Sequence, residues 1–233
     1  GTTTGSYIIF PYHSAWANMT EFTCSAWVDL SVAYGAGHYP GICMRSATNA
    51  ANVSFAFYFL QNGTLNMFTY RAASVSNGQV VTTAAITQDL HHVAATYSDT
   101  DKLMKLYVDG VLLRSTAASA AIYSASTQPF IIGGLPYNDS YLRGFGGIIS
   151  DACVWRTRLG DAAIKHLYRG GDVARDSLVL RACINNGESG TTLAADSIVY
   201  DHSPLKNHGL VKGATASTAR PDWYPSSTPC DAA

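Results

Sequence analysis

The sequence predicts an all-β fold: a two-sheet antiparallel sandwich with one short helix. Three observations carry this. Over most of the 233 residues apolar side chains recur with a period of two, the signature of a half-buried strand. Turn residues interrupt that pattern at short intervals, and helical periodicity is confined to one segment. Hydrophobic residues make up 47% and charged residues 13%, against about 25% charged in an average soluble domain, which excludes a disordered chain. A chain of this length can bury one self-sufficient core, so residues 1–233 read as a single domain.

Each element has a local reason. Tyr7 to Tyr12 and Phe22 to Leu30 read as strands, followed by a Gly/Tyr-rich loop and a short strand at Ile42 to Arg45. Val53 to Leu60 and Leu65 to Arg71 flank Asn62-Gly63, and Leu103 to Val108 and Val111 to Ser115 flank Asp109-Gly110. Both dipeptides tolerate the positive φ of a tight hairpin turn. Strands at Val80 to Ile86 and His91 to Tyr97 lie between the hairpins, and Pro129 to Gly133 and Gly147 to Trp155 follow. The helix is Asp161 to Tyr168: Ile164, Leu167 and Tyr168 share a face, Asp161 suits the positive end, and Gly170-Gly171 stop it. Leu178 to Ile184 then reads as a strand, Asn185 to Asp196 as a loop, His208 to Val211 as a last strand, and residues 220–233 as a loose tail.

No apolar run reaches the roughly 18 residues of a membrane-spanning helix, so membrane insertion is not expected. Gly1 to Ser6 show neither the basic start nor the apolar stretch of a signal peptide. Fifteen Lys and Arg against sixteen Asp and Glu give a formal charge of -1. No net field therefore draws the chain to nucleic acid or anionic lipid. The five cysteines, Cys24, Cys43, Cys153, Cys183 and Cys230, form no CxxC pair. Most sit in apolar runs and read as buried thiols, with one bridge left open.

In order along the chain stand Tyr7-Ile8-Ile9, Phe22-Thr23-Cys24-Ser25-Ala26-Trp27-Val28, Leu90-His91-His92-Val93-Ala94-Ala95-Thr96-Tyr97, Leu106-Tyr107-Val108-Asp109-Gly110, Phe130-Ile131-Ile132-Gly133-Gly134 and Gly147 to Trp155. With Leu159 to Tyr168 as a closing helix, this pattern over residues 7–168 resembles the LamG-like branch of the concanavalin A-like lectin/glucanase jelly rolls. The resemblance implies a jelly-roll sandwich and binding of carbohydrate or protein at its rim. Leu178 to Gly213 resembles the opening of such a domain, although here it comes last. That order is read as a circular permutation in which residues 172–213 complete the sandwich.

The chemistry is first examined for catalysis. Only two glutamates exist, Glu21 and Glu188, and neither stands in an acidic cluster. A retaining glycosidase needs two carboxyl groups about 5–5.5 Å apart, so the sequence carries no glycosidase signature. Asp99, Asp101 and Asp109 read as turn formers. His91-His92 invites a lyase reading, but successive strand residues face opposite sides, so the pair reads as framework. Nucleophile-elbow, phosphate-loop and zinc-peptidase motifs are missing.

Binding remains. Counting chain reversals from Phe22 places connections 31 to 40 and 135 to 144 at one end of the sandwich. Both are rich in Tyr with small or amide neighbours. Tyrosine rings stack on the apolar faces of sugars and amides bond their hydroxyls. Tyr34, His38, Tyr39, Tyr137, Asn138 and Tyr141 are the candidate ligand-binding residues. The resemblance implies Ca2+ as the one cofactor to look for, with Asn138 and Asp139, or else Asp99 and Asp101, offering oxygens. The expected function is a non-catalytic carbohydrate-binding or adhesion module of a cell-surface, extracellular or particle-surface protein, with a glycan or surface protein as partner. The alternative is a structural decoration protein on a virion exterior, for which a homo-oligomer or larger assembly would be the natural state.

Overall fold

The computed structural model describes residues 7–30, 39–46, 53–72, 75–123, 127–134, 144–183, 191–212 and 216–218. In chain order the strands begin with β1 (Tyr7–Phe10), β2 (Glu21–Asp29), β3 (Gly41–Arg45), β4 (Phe55–Phe59) and β5 (Leu65–Ala72). Next come β6 (Val75–Val81), β7 (Leu90–Ser98), β8 (Leu103–Val108), β9 (Val111–Ala117), β10 (Phe130–Ile132) and β11 (Ile148–Trp155). The helix α1 (Asp161–Tyr168) precedes β12 (Leu178–Ala182), β13 (Thr191–Leu193), β14 (Ile198–Val199), β15 (Gly209–Lys212) and β16 (Ala216–Thr218). One antiparallel sheet has eight strands in the order β14-β15-β1-β10-β3-β4-β5-β6; the other has six, β12-β11-β2-β7-β8-β9. β13 and β16 pair apart from both. The jelly-roll sandwich expected from the sequence is therefore the observed architecture.

Alternation along the strands builds the interior. Phe55, Phe57 and Phe59 of β4 point inward against Phe22, Cys24, Ala26 and Val28 of β2. Phe22 stacks on Phe55 across the gap between the sheets, with ring centroids 4.2 Å apart and planes at 18°. On its own sheet Phe22 stacks on Tyr97 at 5.7 Å. Trp16 meets Phe130 edge-on at 4.5 Å, and its indole N–H donates to the Val179 carbonyl at 3.2 Å, which satisfies the one polar atom of a fully buried ring.

The turns follow their sequence chemistry. Asp109 and Gly110 adopt φ of 51° and 75°, the two positive values a two-residue hairpin needs. The hairpin tip lies against α1, because a Cβ on Gly110 would come within 3.1 Å of Lys165 Cα. The helix occupies Asp161–Tyr168 as expected. Asp161 accepts hydrogen bonds from Lys105 Nζ at 2.9 Å and from Tyr107 Oη at 2.8 Å, which hold its carboxyl below the usual range and fasten the helix start to β8. Ile164 and Leu159 then pack on Tyr107, Ala94, Cys153 and Trp155, covering the outer face of the smaller sheet.

Segments late in the chain occupy positions in both sheets: β12 pairs with β11 and β15 pairs with β1. Asp201, 1% exposed, holds this region together. Its carboxylate accepts from the backbone N–H groups of Arg181, Ser203 and Asn207 and from Ser203 Oγ, at 2.8–2.9 Å. Asn207 Nδ2 in turn donates to the Pro11 carbonyl at 2.6 Å. Four bonds on one buried carboxylate offset the cost of taking it out of water.

Several expectations are corrected. The strand placed at Val80 to Ile86 is β6 at Val75–Val81, because the polar Asn77 is buried and its Oδ1 accepts from Ala120 N at 2.7 Å. The loop placed at Asn185 to Asp196 contains β13, paired with Ala216–Thr218. Cys24, Cys43 and Cys153 are buried thiols as expected, and burial pushes the Cys24 and Cys153 thiols well up. Cys183, however, is disulfide-bonded. The tail at 220–233 lies outside the described residues. No helix is long and apolar enough to cross a membrane. Removing residues 172–233 should strip β12 from β11 and β15 from β1 and abolish or sharply lower the cooperative thermal transition; a transition at the full-length temperature would contradict this.

Candidate functional site: the outer face of the larger sheet

With Phe55, Phe57 and Phe59 turned inward, Ala56 and Tyr58 of β4 face out, and with Leu65 and Met67 inward, Asn66 and Phe68 of β5 do the same. Register then lines these residues up. Ile131, Met44, Ala56 and Phe68 stand in one row across β10, β3, β4 and β5. Tyr58 stands opposite Asn66 in the next. Tyr7, Ile9, Tyr58 and Tyr70 pack half-buried around Met44, Ala56 and Ile131. Phe68 and Tyr70 lie 4.9 Å apart, tilted at 49°. Tyr39 meets Tyr58 edge-on at 6.4 Å. Asn66 is fully buried, and neither its Oδ1 nor its Nδ2 has a hydrogen-bond partner, an arrangement that costs about 1–3 kcal/mol.

Tyr39 joins this face to the rim that the sequence singled out. Tyr34, His38, Tyr137, Asn138, Asp139 and Tyr141 lie outside the described residues. The strands flanking the two connections are neighbours, however: Asp29 at the end of β2 pairs with Ile148 at the start of β11, and Cys43 pairs with Ile132 at the end of β10. The two connections thus leave from and return to adjacent strands. Tyr58, Asn66, Phe68 and Tyr70 were missed as site residues because nothing local distinguishes an outward aromatic strand position from an inward one. The signal was the alternation Phe-Ala-Phe-Tyr-Phe followed across the turn by Leu-Asn-Met-Phe, which assigns the two faces only after register is known.

Other candidates are accounted for. His91 Nδ1 bonds Asp109 Oδ2 at 2.8 Å and its Nε2 bonds Thr87 Oγ1 at 2.8 Å. His92 stands edge-on to Trp27 at 5.4 Å. The two imidazoles do not converge. Asp99 is not a solvated turn residue: its carboxylate accepts from Tyr97 Oη at 2.5 Å and Ile122 N at 2.9 Å. Asp101 is paired with Arg158. Both carboxylates thus have protein partners, and among the described residues no group of three or more His, Cys, Asp or Glu is placed to hold a metal. Glu21 accepts from Ser98 Oγ at 2.6 Å, and Glu188 lies outside the described residues.

The sequence model of the Laminin G type within the concanavalin A-like lectin/glucanases superfamily matches residues 2–165. The chain belongs to this superfamily. No curated protein matches the sequence. Among solved structures, this superfamily member resembles a "putative carbohydrate binding protein" from Bacteroides ovatus, with TM-score 0.65 and 15% identity over 92% of this chain. It spans 59% of the length of that protein. It also resembles the CBM40 of the Ruminococcus gnavus IT-sialidase bound to α2,3-sialyllactose, with TM-score 0.54 and 16% identity, covering 67% of this chain and 91% of that one. A leech intramolecular trans-sialidase is similar at TM-score 0.51 and 17% identity, over 77% of this chain and 26% of the enzyme. At such identities the likeness shows the fold alone.

The framework role of His92 has a measurable consequence. Burial pushes its imidazole down to about 4, against the opposing pull of Asp151 and Asp109. An unfolded histidine titrates near 6.5, so between these values the unfolded chain binds a proton that the folded chain does not. Stability should therefore fall as pH drops from about 6.5 toward 4, by at most about 3 kcal/mol from this residue. Urea unfolding at pH 7 and pH 4.5 checks it: His92→Gln should show a smaller difference between the two than the wild type, and an equal difference would contradict the assignment.

Proposed function

We propose that the chain is a non-catalytic carbohydrate-binding module of an extracellular or cell-surface protein, with its glycan lying against the outer face of the larger sheet. The observation that carries this reading is the gathering on one face of half-buried aromatic rings, Tyr39, Tyr58, Phe68 and Tyr70. Rings offer apolar planes to the C–H faces of a pyranose. On the opposite sheet, α1 covers the patch of Ala94, Tyr107, Cys153 and Trp155 and leaves no comparable row of rings there.

Membership of a lectin/glucanase superfamily and the likeness to carbohydrate-binding structures support the reading. The rim residues Tyr34, His38, Tyr137, Asn138 and Tyr141 remain candidate ligand contacts in this proposal, since their residue types suit a sugar. The absence of a signature pair of catalytic carboxylates in the sequence favours binding over hydrolysis. The decoration-protein alternative draws no support from the comparisons.

A glycan array read with wild type and with the Tyr58→Ala/Phe68→Ala double variant tests the proposal. Each lost ring removes stacking of about 0.5–1.5 kcal/mol, so affinity for the glycans the wild type retains should fall about five-fold or more while the variant stays folded. Undiminished binding by the folded double variant, or an array with no wild-type signal, would overturn it.

A further inference from the structure

The helix does not seal all of the smaller sheet. Next to the apolar patch of Ala94, Tyr107, Leu159 and Ile164, a cavity of about 260 Å³ lies between the sheet, the end of α1 and residues 169–175. It falls just below the roughly 300–1,000 Å³ of pockets that hold drug-sized ligands, which suits one small molecule and not an oligomer. We propose that this cavity binds a single hydroxyl-bearing ring of monosaccharide size, at a site separate from the sheet face described above.

Its walls have the composition of a binding site. Trp27, Trp155 and Tyr168 line it; Trp27 and Tyr168 lie 5.8 Å apart, tilted at 33°, and Tyr168 is 37% exposed at the mouth. Ser25, His92, Asp151 and Arg181 add a hydroxyl, an imidazole and a guanidinium–carboxylate pair.

The polar groups also offer hydrogen bonds. Arg181 donates through Nε to Asp151 Oδ1 at 2.8 Å and through Nη2 to Oδ2 at 3.2 Å, and it approaches Asp172 Oδ1 at 3.4 Å. Arg169 and Arg175 stand on the same lining, so the wall presents guanidinium donors and carboxylate acceptors suited to ring hydroxyls. His92 is 3% exposed, and its Nδ1 has no hydrogen-bond partner. Burial keeps the ring neutral, so it adds no charge at neutral pH.

The backbone is shaped to build this floor. Asp151 has φ of 46° within the irregular stretch between Ser150 and Cys153, where the register of β11 against β2 shifts. A bulge of this kind re-aims a side chain, and here it delivers the carboxylate that grips Arg181.

Saturation-transfer NMR with glucose, galactose, mannose, N-acetylglucosamine and, as the charged counterpart, glucuronate tests the proposal. At least one of these sugars should bind wild type saturably and bind the Tyr58→Ala/Phe68→Ala variant equally well, which separates this site from the sheet face. Ser25→Met, which fills the cavity, should weaken that binding about ten-fold or more. Tyr168→Ala, at an exposed position at the mouth, should weaken it as well and serves if Ser25→Met does not fold. No binding by any of these sugars, or binding that survives in the folded cavity variants, would overturn it.

Discussion

Face-to-face closure of the two sheets through their aromatic interior is the constraint from which the rest follows. Phe22 of one sheet stacks on Phe55 of the other, and the alternation of β2 and β4 then fixes which residues must point away from the core. Each sheet keeps one outward face. The smaller sheet surrenders most of its own to α1, which Asp161 holds to Lys105 and Tyr107. The larger sheet keeps Tyr58, Asn66 and Phe68 on its outer side, and the functional reading rests on the rings.

Much of the fold was legible because its signals are local. The Asp109-Gly110 turn announces itself through residues that accept positive φ, and the helix through one apolar face, an acidic first residue and two glycines after its end. Strand β7 was equally clear, since its inward and outward residues alternate without interruption. What escaped was set by distant partners. β13 and β16 are three residues each, too short to show a period, and they exist because they pair with each other. β6 begins earlier than its apolar residues suggest because Asn77 is held by Ser119 and Ala120, more than forty positions away.

The candidate site was legible in part for the same reason. Tyr-rich connections mark a rim by composition alone, and the flanking strands do bring the ends of those connections side by side. The sheet face was invisible until register put Tyr58 opposite Asn66 and Ala56 opposite Phe68. Carboxylates were misread in one direction: Asp99 looked like an exposed turn residue, yet it binds Tyr97 and Ile122, because a side chain's partners across the fold leave no trace in its neighbours along the chain. Asp151 and Arg181, thirty residues apart, are the same case on the opposite sheet.

The central claim is that a sugar chain is gripped by the outer face of the larger sheet. Amide chemical-shift mapping, titrating the isotope-labelled protein with the glycan that it retains best on an array, tests this most directly. The account predicts the largest shifts at Tyr39, Tyr58, Asn66, Phe68 and Tyr70, spreading along β4 and β5 and leaving β8 and β9 unmoved. Shifts centred on β8, β9 or the 99–101 turn, with β4 and β5 silent, would contradict it.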